Sequence, residues 1–101
     1  MVKKAAITMS VEVLKAAGFK ETRYPDQEGV FWKKTLKARD MPYVREHLVG
    51  EECEADDEVW VEVIPGDGVQ MGITGSSYFE EPVPVSSEDG RGLLRDAGVA
   101  V

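Results

Sequence analysis

The chain has 101 residues, 43% hydrophobic and 31% charged, which suits a single domain over residues 1–101 and excludes a disordered chain. With 19 acids against 12 lysines and arginines it carries a net charge of −7, so nucleic acid and anionic membranes repel it at long range and its attractive partners carry positive charge. No apolar run nears the roughly 20 residues that cross a bilayer, "MVKKAAITMS" lacks a signal-peptide core, and the lone Cys53 permits no internal disulfide, so a cytoplasmic location is expected.

Residues 9–19, "MSVEVLKAAGF", predict a short helix. Ser10 suits the N-cap, and Val11, Leu14 and Ala17 recur at intervals of three. Gly18 suits the left-handed position past the end, with Phe19 folding back onto the last turn. "RYPDQEG", 23–29, reads as a turn or loop. "VFWKKTLK", 30–37, reads as a strand. One side holds Val30, Trp32, Lys34 and Leu36 and the other Phe31, Lys33, Thr35 and Lys37. Neither side is cleanly apolar, so the core-facing one stays open.

"RDMPYVREHLV", 39–49, predicts a second short helix, with Asp40 as N-cap and Pro42 in the first turn. Tyr43, Val44, His47 and Leu48 then share a side, and Gly50 ends the helix. "DEVWVEVIPGDGVQMGITG", 57–75, is the clearest pattern. Val59, Val61 and Val63 alternate with Trp60, Glu62 and Ile64, and Val69, Met71 and Ile73 alternate with Gln70, Gly72 and Thr74. Pro65-Gly66-Asp67-Gly68 between them predicts a tight turn and therefore a β-hairpin. "SSYFEEPVPV", 76–85, is extended and irregular or an edge strand, because of its two prolines. "SSEDGRGLLRDAG", 86–98, predicts a last helix capped by Ser86, weakened by Gly90 and Gly92. No internal repeat is visible.

This order predicts an α+β fold: a small antiparallel sheet of three to four strands with two or three short helices packed on one face. If the first strand neighbours the second, Lys33 or Lys37 sits opposite Glu58 or Glu62.

Little here points to catalysis. His47 and Cys53 are the only residues of their kinds, and neither an oxyanion site nor an orienting third group accompanies them. Zinc-ligand spacing is absent. The acidic run lacks the alternating ligands and central glycine of a calcium loop. "GDG" and "GITGSS" lack the lysine of a phosphate-binding loop. No catalytic residue, metal or cofactor is expected.

The acids are unevenly placed. Residues 1–49 hold 10 Lys/Arg and 6 acids, net +4, and residues 50–101 hold 2 Lys/Arg and 13 acids, net −11. Six of the eight residues of "EECEADDE", 51–58, are acidic. The run is either a solvated loop or an interaction surface whose carboxylates resemble a row of phosphates to a basic groove. If the valines face the core, Trp60 faces away, with Phe31, near Tyr78 and Phe79, and is a candidate anchor.

The layout "LKAAGFK…GVFWKKTL…VWVEVIPGDGVQMGI" resembles small acidic accessory proteins carried by phages and prophages. The resemblance implies inhibitors of host defence, including anti-CRISPR proteins, and transfers no site residue. The expected function is a noncatalytic acidic protein-binding module that occupies a basic surface of a nucleic-acid-handling partner. Its expected partner-binding residues are Glu51, Glu52, Glu54, Asp56, Asp57, Glu58 and Trp60, with no direct contact to nucleic acid or membrane. The competing reading is a self-associating assembly protein, a homo-oligomer, followed by a small enzyme or ligand-binding domain around His47 or Cys53.

Overall fold

The computed structural model describes residues 10–64, 68–73 and 76–101. The expectations for "MVKKAAITM", for the turn Pro65-Gly66-Asp67 and for Thr74-Gly75 lie outside these residues.

The first helix, α1, is Val11–Ala16. Ser10 Oγ accepts from Val13 N at 3.2 Å, as its extended N-cap geometry requires. The chain leaves α1 through Gly18 at φ +95°. There Gly18 N donates to Lys15 O and Phe19 N to Leu14 O. This pair of bonds is a Schellman ending, and it returns the Phe19 ring to the core beside Leu14.

Strand β1, Lys20–Thr22, then pairs antiparallel with β2, Phe31–Lys37. A single 3-10 turn, Ala38–Asp40, leads into α2, Pro42–His47. The hairpin follows as β3, Glu58–Ile64, and β4, Gly68–Ile73. Two very short strands, β5 at Ser76–Ser77 and β6 at Val83–Pro84, pair in succession along the far edge of β4. The last helix, α3, is Glu88–Asp96.

The fold is therefore α+β, and the sheet is larger than the expected three to four strands. Among the described residues six strands form one antiparallel sheet in the order β1-β2-β3-β4-β5, with β6 also on β4. The extra strands are β1, which the sequence did not announce, and β5 and β6, which divide the 76–85 stretch expected as irregular or as one edge strand; all are three or two residues long, too short for a two-residue period to show.

Register settles the faces. Trp32, Lys34 and Leu36 pair with Val63, Val61 and Val59, which pair in turn with Val69, Met71 and Ile73. All of these share one face, and its valines and Met71 are buried with Leu14, Val44, Leu93 and Leu94 of the helices. Burying such side chains stabilises by roughly 1.5–3 kcal/mol each.

Lys34 is the exception on that face. Its ammonium donates to Ala17 O at 2.6 Å and to Ala97 O at 2.7 Å. These are the C-cap carbonyls of α1 and α3, where the helix dipoles concentrate negative charge. The end of α3 repeats the end of α1: "LRDAGV" follows the plan of "LKAAGF". Gly98 N donates to Arg95 O and Val99 N to Leu94 O, with Gly98 at φ +99°.

Two caps differ from the sequence expectation. Asp40 lies in the 3-10 turn; α2 is capped from α3, with Asp96 Oδ1 accepting from Tyr43 N at 3.0 Å and Oδ2 from Val44 N at 3.1 Å. Burial outweighs these bonds and raises the Asp96 carboxyl above the usual range. The cap of α3 is Ser87, not Ser86, with Oγ accepting from Gly90 N at 2.9 Å and donating to Pro84 O at 2.7 Å.

Replacing Lys34 by methionine leaves two helix-terminal carbonyls without their charged donor. Hydrogen bonds to charged groups are worth about 1.5–3 kcal/mol, and Lys34 is half-buried, so a loss of about 2 kcal/mol is expected for Lys34→Met in urea unfolding. An unchanged midpoint would remove this role for the ammonium.

Candidate protein-binding surface

The acidic run is an ordered turn rather than a loose loop. Beyond α2, Glu52 N and Cys53 N both donate to Leu48 O, and Gly50 N donates to Cys53 O. Further on, Ala38 N donates to Asp57 O and Arg39 N to Ala55 O. The turn is thus tied to the end of α2 on one side and to the 3-10 turn on the other. Cys53 is buried beneath it, and burial first, then the neighbouring carboxylates, push its thiol up. The thiolate is the reactive form, so this cysteine is held in its less reactive one.

Five of the expected residues, Glu51, Glu52, Glu54, Asp56 and Glu58, are exposed, and Asp57 is half-buried. Asp57 Oδ2 accepts from Glu54 N at 2.9 Å and so shapes the turn. Asp56 pairs with Arg39 at 2.5 Å across an exposed gap, a contact worth roughly 0–1 kcal/mol. The register sets Lys37 opposite Glu58 and Lys33 opposite Glu62, while the Lys37 ammonium donates to Asp56 O and Glu62 accepts from Tyr24. Glu51, Glu52 and Glu54 form no ion pair among the described residues.

Trp60 alternates onto the face opposite the valines and is half-buried there. Its indole lies across Gly72, its partner in β4: a Cβ on Gly72 would stand 2.1 Å from the ring. The Lys33 ammonium sits 4.9 Å from the ring centroid, a cation–π contact. Nearby, Tyr24 covers the same sheet face. Its ring meets Phe31 edge-on at 4.9 Å, and its hydroxyl donates to Glu62 Oε2 at 2.5 Å. Phe31, Glu62 and Gln70 are consequently buried although they lie on the outer face.

Tyr78 and Phe79 do not join Trp60, as the sequence reading expected. They lie beyond the β5 edge and fold toward α2, where with Tyr43, His47 and Met71 they line a pocket of about 460 Å³. Tyr78 is 41% exposed. It also borders a smaller hollow of about 220 Å³, which Glu52, Ile73, Ser76 and Ser77 complete. The aromatic beside Glu52 is therefore Tyr78, while Glu58 and Trp60 occupy the other side of the sheet. The sequence held one hint: Tyr43 and His47 share a side of α2.

Tyr43 donates its hydroxyl to Asp89 Oδ1, and burial, followed by that bond, raises its phenol well above the ordinary value. Its ring fills the space over Gly92, where a Cβ would come within 2.4 Å of it. No group of His, Cys, Asp and Glu among the described residues is arranged to hold a metal. No described helix is long and apolar enough to cross a membrane. No family model, curated protein or solved structure matches this chain.

Two outcomes follow from the outer face. An alanine at 72 must displace both the indole and the backbone oxygen of Ser76, 2.4 Å from the new Cβ. Overpacking of this kind costs about 1–3 kcal/mol, and Gly72→Ala is expected to lower the urea midpoint accordingly.

Tyr24 is pushed up to about 12 from an ordinary 10.0, by the Glu62 bond first and burial second. The folded state keeps a proton that the unfolded chain has lost. The stabilisation is complete below the unfolded value and disappears as pH rises through the folded one. Stability should fall between about pH 10 and pH 12, and Tyr24→Phe should make that fall shallower, with Tyr43 supplying the remainder. An equally steep decline in the variant would refute the assignment.

Proposed function

We propose that this chain is a noncatalytic protein-binding module that occupies a basic surface of its partner. The observation that carries this reading is the ordered turn of exposed carboxylates, Glu51, Glu52 and Glu54, of which Glu52 borders one hollow with the exposed ring of Tyr78. A fixed turn loses less entropy on binding than a mobile acidic tail does. Carboxylates at close spacing also match the geometry in which a basic groove holds phosphates. The partner class is accordingly a protein that handles nucleic acid, and occupancy of its groove would inhibit it, as in the phage-borne inhibitors that the layout resembles. Asp56, Asp57 and Glu58 act as flanking charge in this reading, and Trp60 as a support for the sheet face.

Self-association is the second reading. It is favoured by Val11 and Val13, which α1 leaves 47% and 43% exposed.

Immobilised protein is expected to retain basic proteins from a cell extract at low salt and to release them at high salt, because exposed charges are screened beyond a Debye length of about 8 Å at physiological ionic strength. Replacing Glu51, Glu52 and Glu54 together by glutamine should abolish the retention and leave the circular dichroism unchanged. A retained set indifferent to that replacement sinks the reading. A mass in sedimentation that rises with concentration and falls on Val11→Ser with Val13→Ser supports the second one.

A further inference from the structure

We propose that the pocket between α2, β4 and the 78–79 segment is a binding site for an arginine side chain of the protein partner. The pocket holds about 460 Å³. Tyr43 and His47, one turn apart on α2, stack at 4.3 Å with a 30° tilt. Tyr78 and Phe79, which meet edge-on at 5.1 Å, line the same pocket. Leu48 and Met71, both buried, complete the apolar lining. Asp89, in the first turn of α3, brings the carboxylate.

The chemistry of these groups selects the guest. Tyr43 occupies Asp89 Oδ1, and Oδ2 has no partner among the described residues. His47 Nδ1 lies 2.9 Å from Tyr43 O. A carbonyl only accepts, so Nδ1 is the donor of that bond. The pocket thus offers a carboxylate acceptor and aromatic faces. An anion would be repelled by Asp89, by Glu88 beside it and by the net charge of −7. An apolar guest would strip water from the carboxylate and return no donor. A guanidinium is planar and weakly hydrated, stacks on aromatic rings and donates in a fork to a carboxylate. Tyr78 is shared with the hollow at Glu52, so a chain whose arginine enters the pocket runs past the acidic turn. The choice of an arginine carried by a protein, rather than a free cation, rests on the function proposed above.

The test is a nuclear magnetic resonance titration of the full chain with N-acetyl-arginine amide, N-acetyl-norleucine amide and tetramethylammonium, beside a salt series with an arginine–glycine repeat peptide. The arginine amide is expected to shift Tyr43, His47, Tyr78 and Phe79 saturably, and the norleucine amide to leave them in place. Asp89→Asn and Tyr78→Ala should each weaken it roughly threefold to tenfold. Because Tyr78 is exposed, its variant keeps the fold and tests the ring alone. Equal shifts by the norleucine amide, or tighter binding of tetramethylammonium, overturn the proposal. If the peptide binds in a salt-sensitive way while the arginine amide moves nothing, the pocket assignment fails and the binding-module reading survives. If the amide seats but the peptide binds no tighter than the amide, a protein-borne arginine is overturned together with that reading.

Discussion

The Lys34 ammonium is placed on the apolar face of the sheet, where a lysine ordinarily costs stability. It is tolerated because two helices end on it. Ala17 O and Ala97 O both accept from Nζ, and each belongs to a helix end made by an alanine followed by a glycine of positive φ. A charge that satisfies two C-termini fixes the directions of α1 and α3 relative to β2. The other placements follow from that. Phe19 and Val99 turn back into the core, Asp96 on α3 reaches the start of α2, and α2 carries Tyr43 over Gly92.

The opposite face of the sheet is closed by different means. Tyr24 shields Phe31 and holds Glu62, while Trp60 lies on Gly72 beneath Lys33. An indole over a strand glycine replaces packing that the glycine lacks. Lysines of the first half thus stand opposite acids of the second within the sheet itself. Beyond α2, Glu51, Glu52 and Glu54 are exposed in one fixed turn, and Glu52 borders a hollow that shares Tyr78 with the aromatic pocket.

Much of this was legible in the sequence where one local rule sufficed. The hairpin of β3 and β4 followed from strict alternation, α1 from Ser10 and Gly18, and the valine face from Val59, Val61 and Val63. That Lys33 or Lys37 sits opposite Glu58 or Glu62 was legible only on the condition that the first strand neighbours the second, and the register meets it. What was not legible depends on contacts distant in the chain. Lys34 spoiled the pattern of β2 because its partners are 17 and 63 residues away. The cap of α2 was assigned to Asp40 because Asp96 becomes its neighbour only after folding. Gly90 and Gly92 looked like weak points in a helix, whereas both admit close neighbours, Pro84 O and the Tyr43 ring. The pocket draws on α2, β4, the 78–79 segment and α3, so no spacing in the sequence announces it.

The twin helix ends at Lys34 also bear on how the molecule is assembled during synthesis. The first of them leaves a ribosome long before the second. Until residue 97 emerges, the nascent chain has a strand lysine with one acceptor engaged and a valine surface missing the cover of Leu93 and Leu94. Closure of the core thereby waits on α3, whose Leu93 and Leu94 supply its last cover.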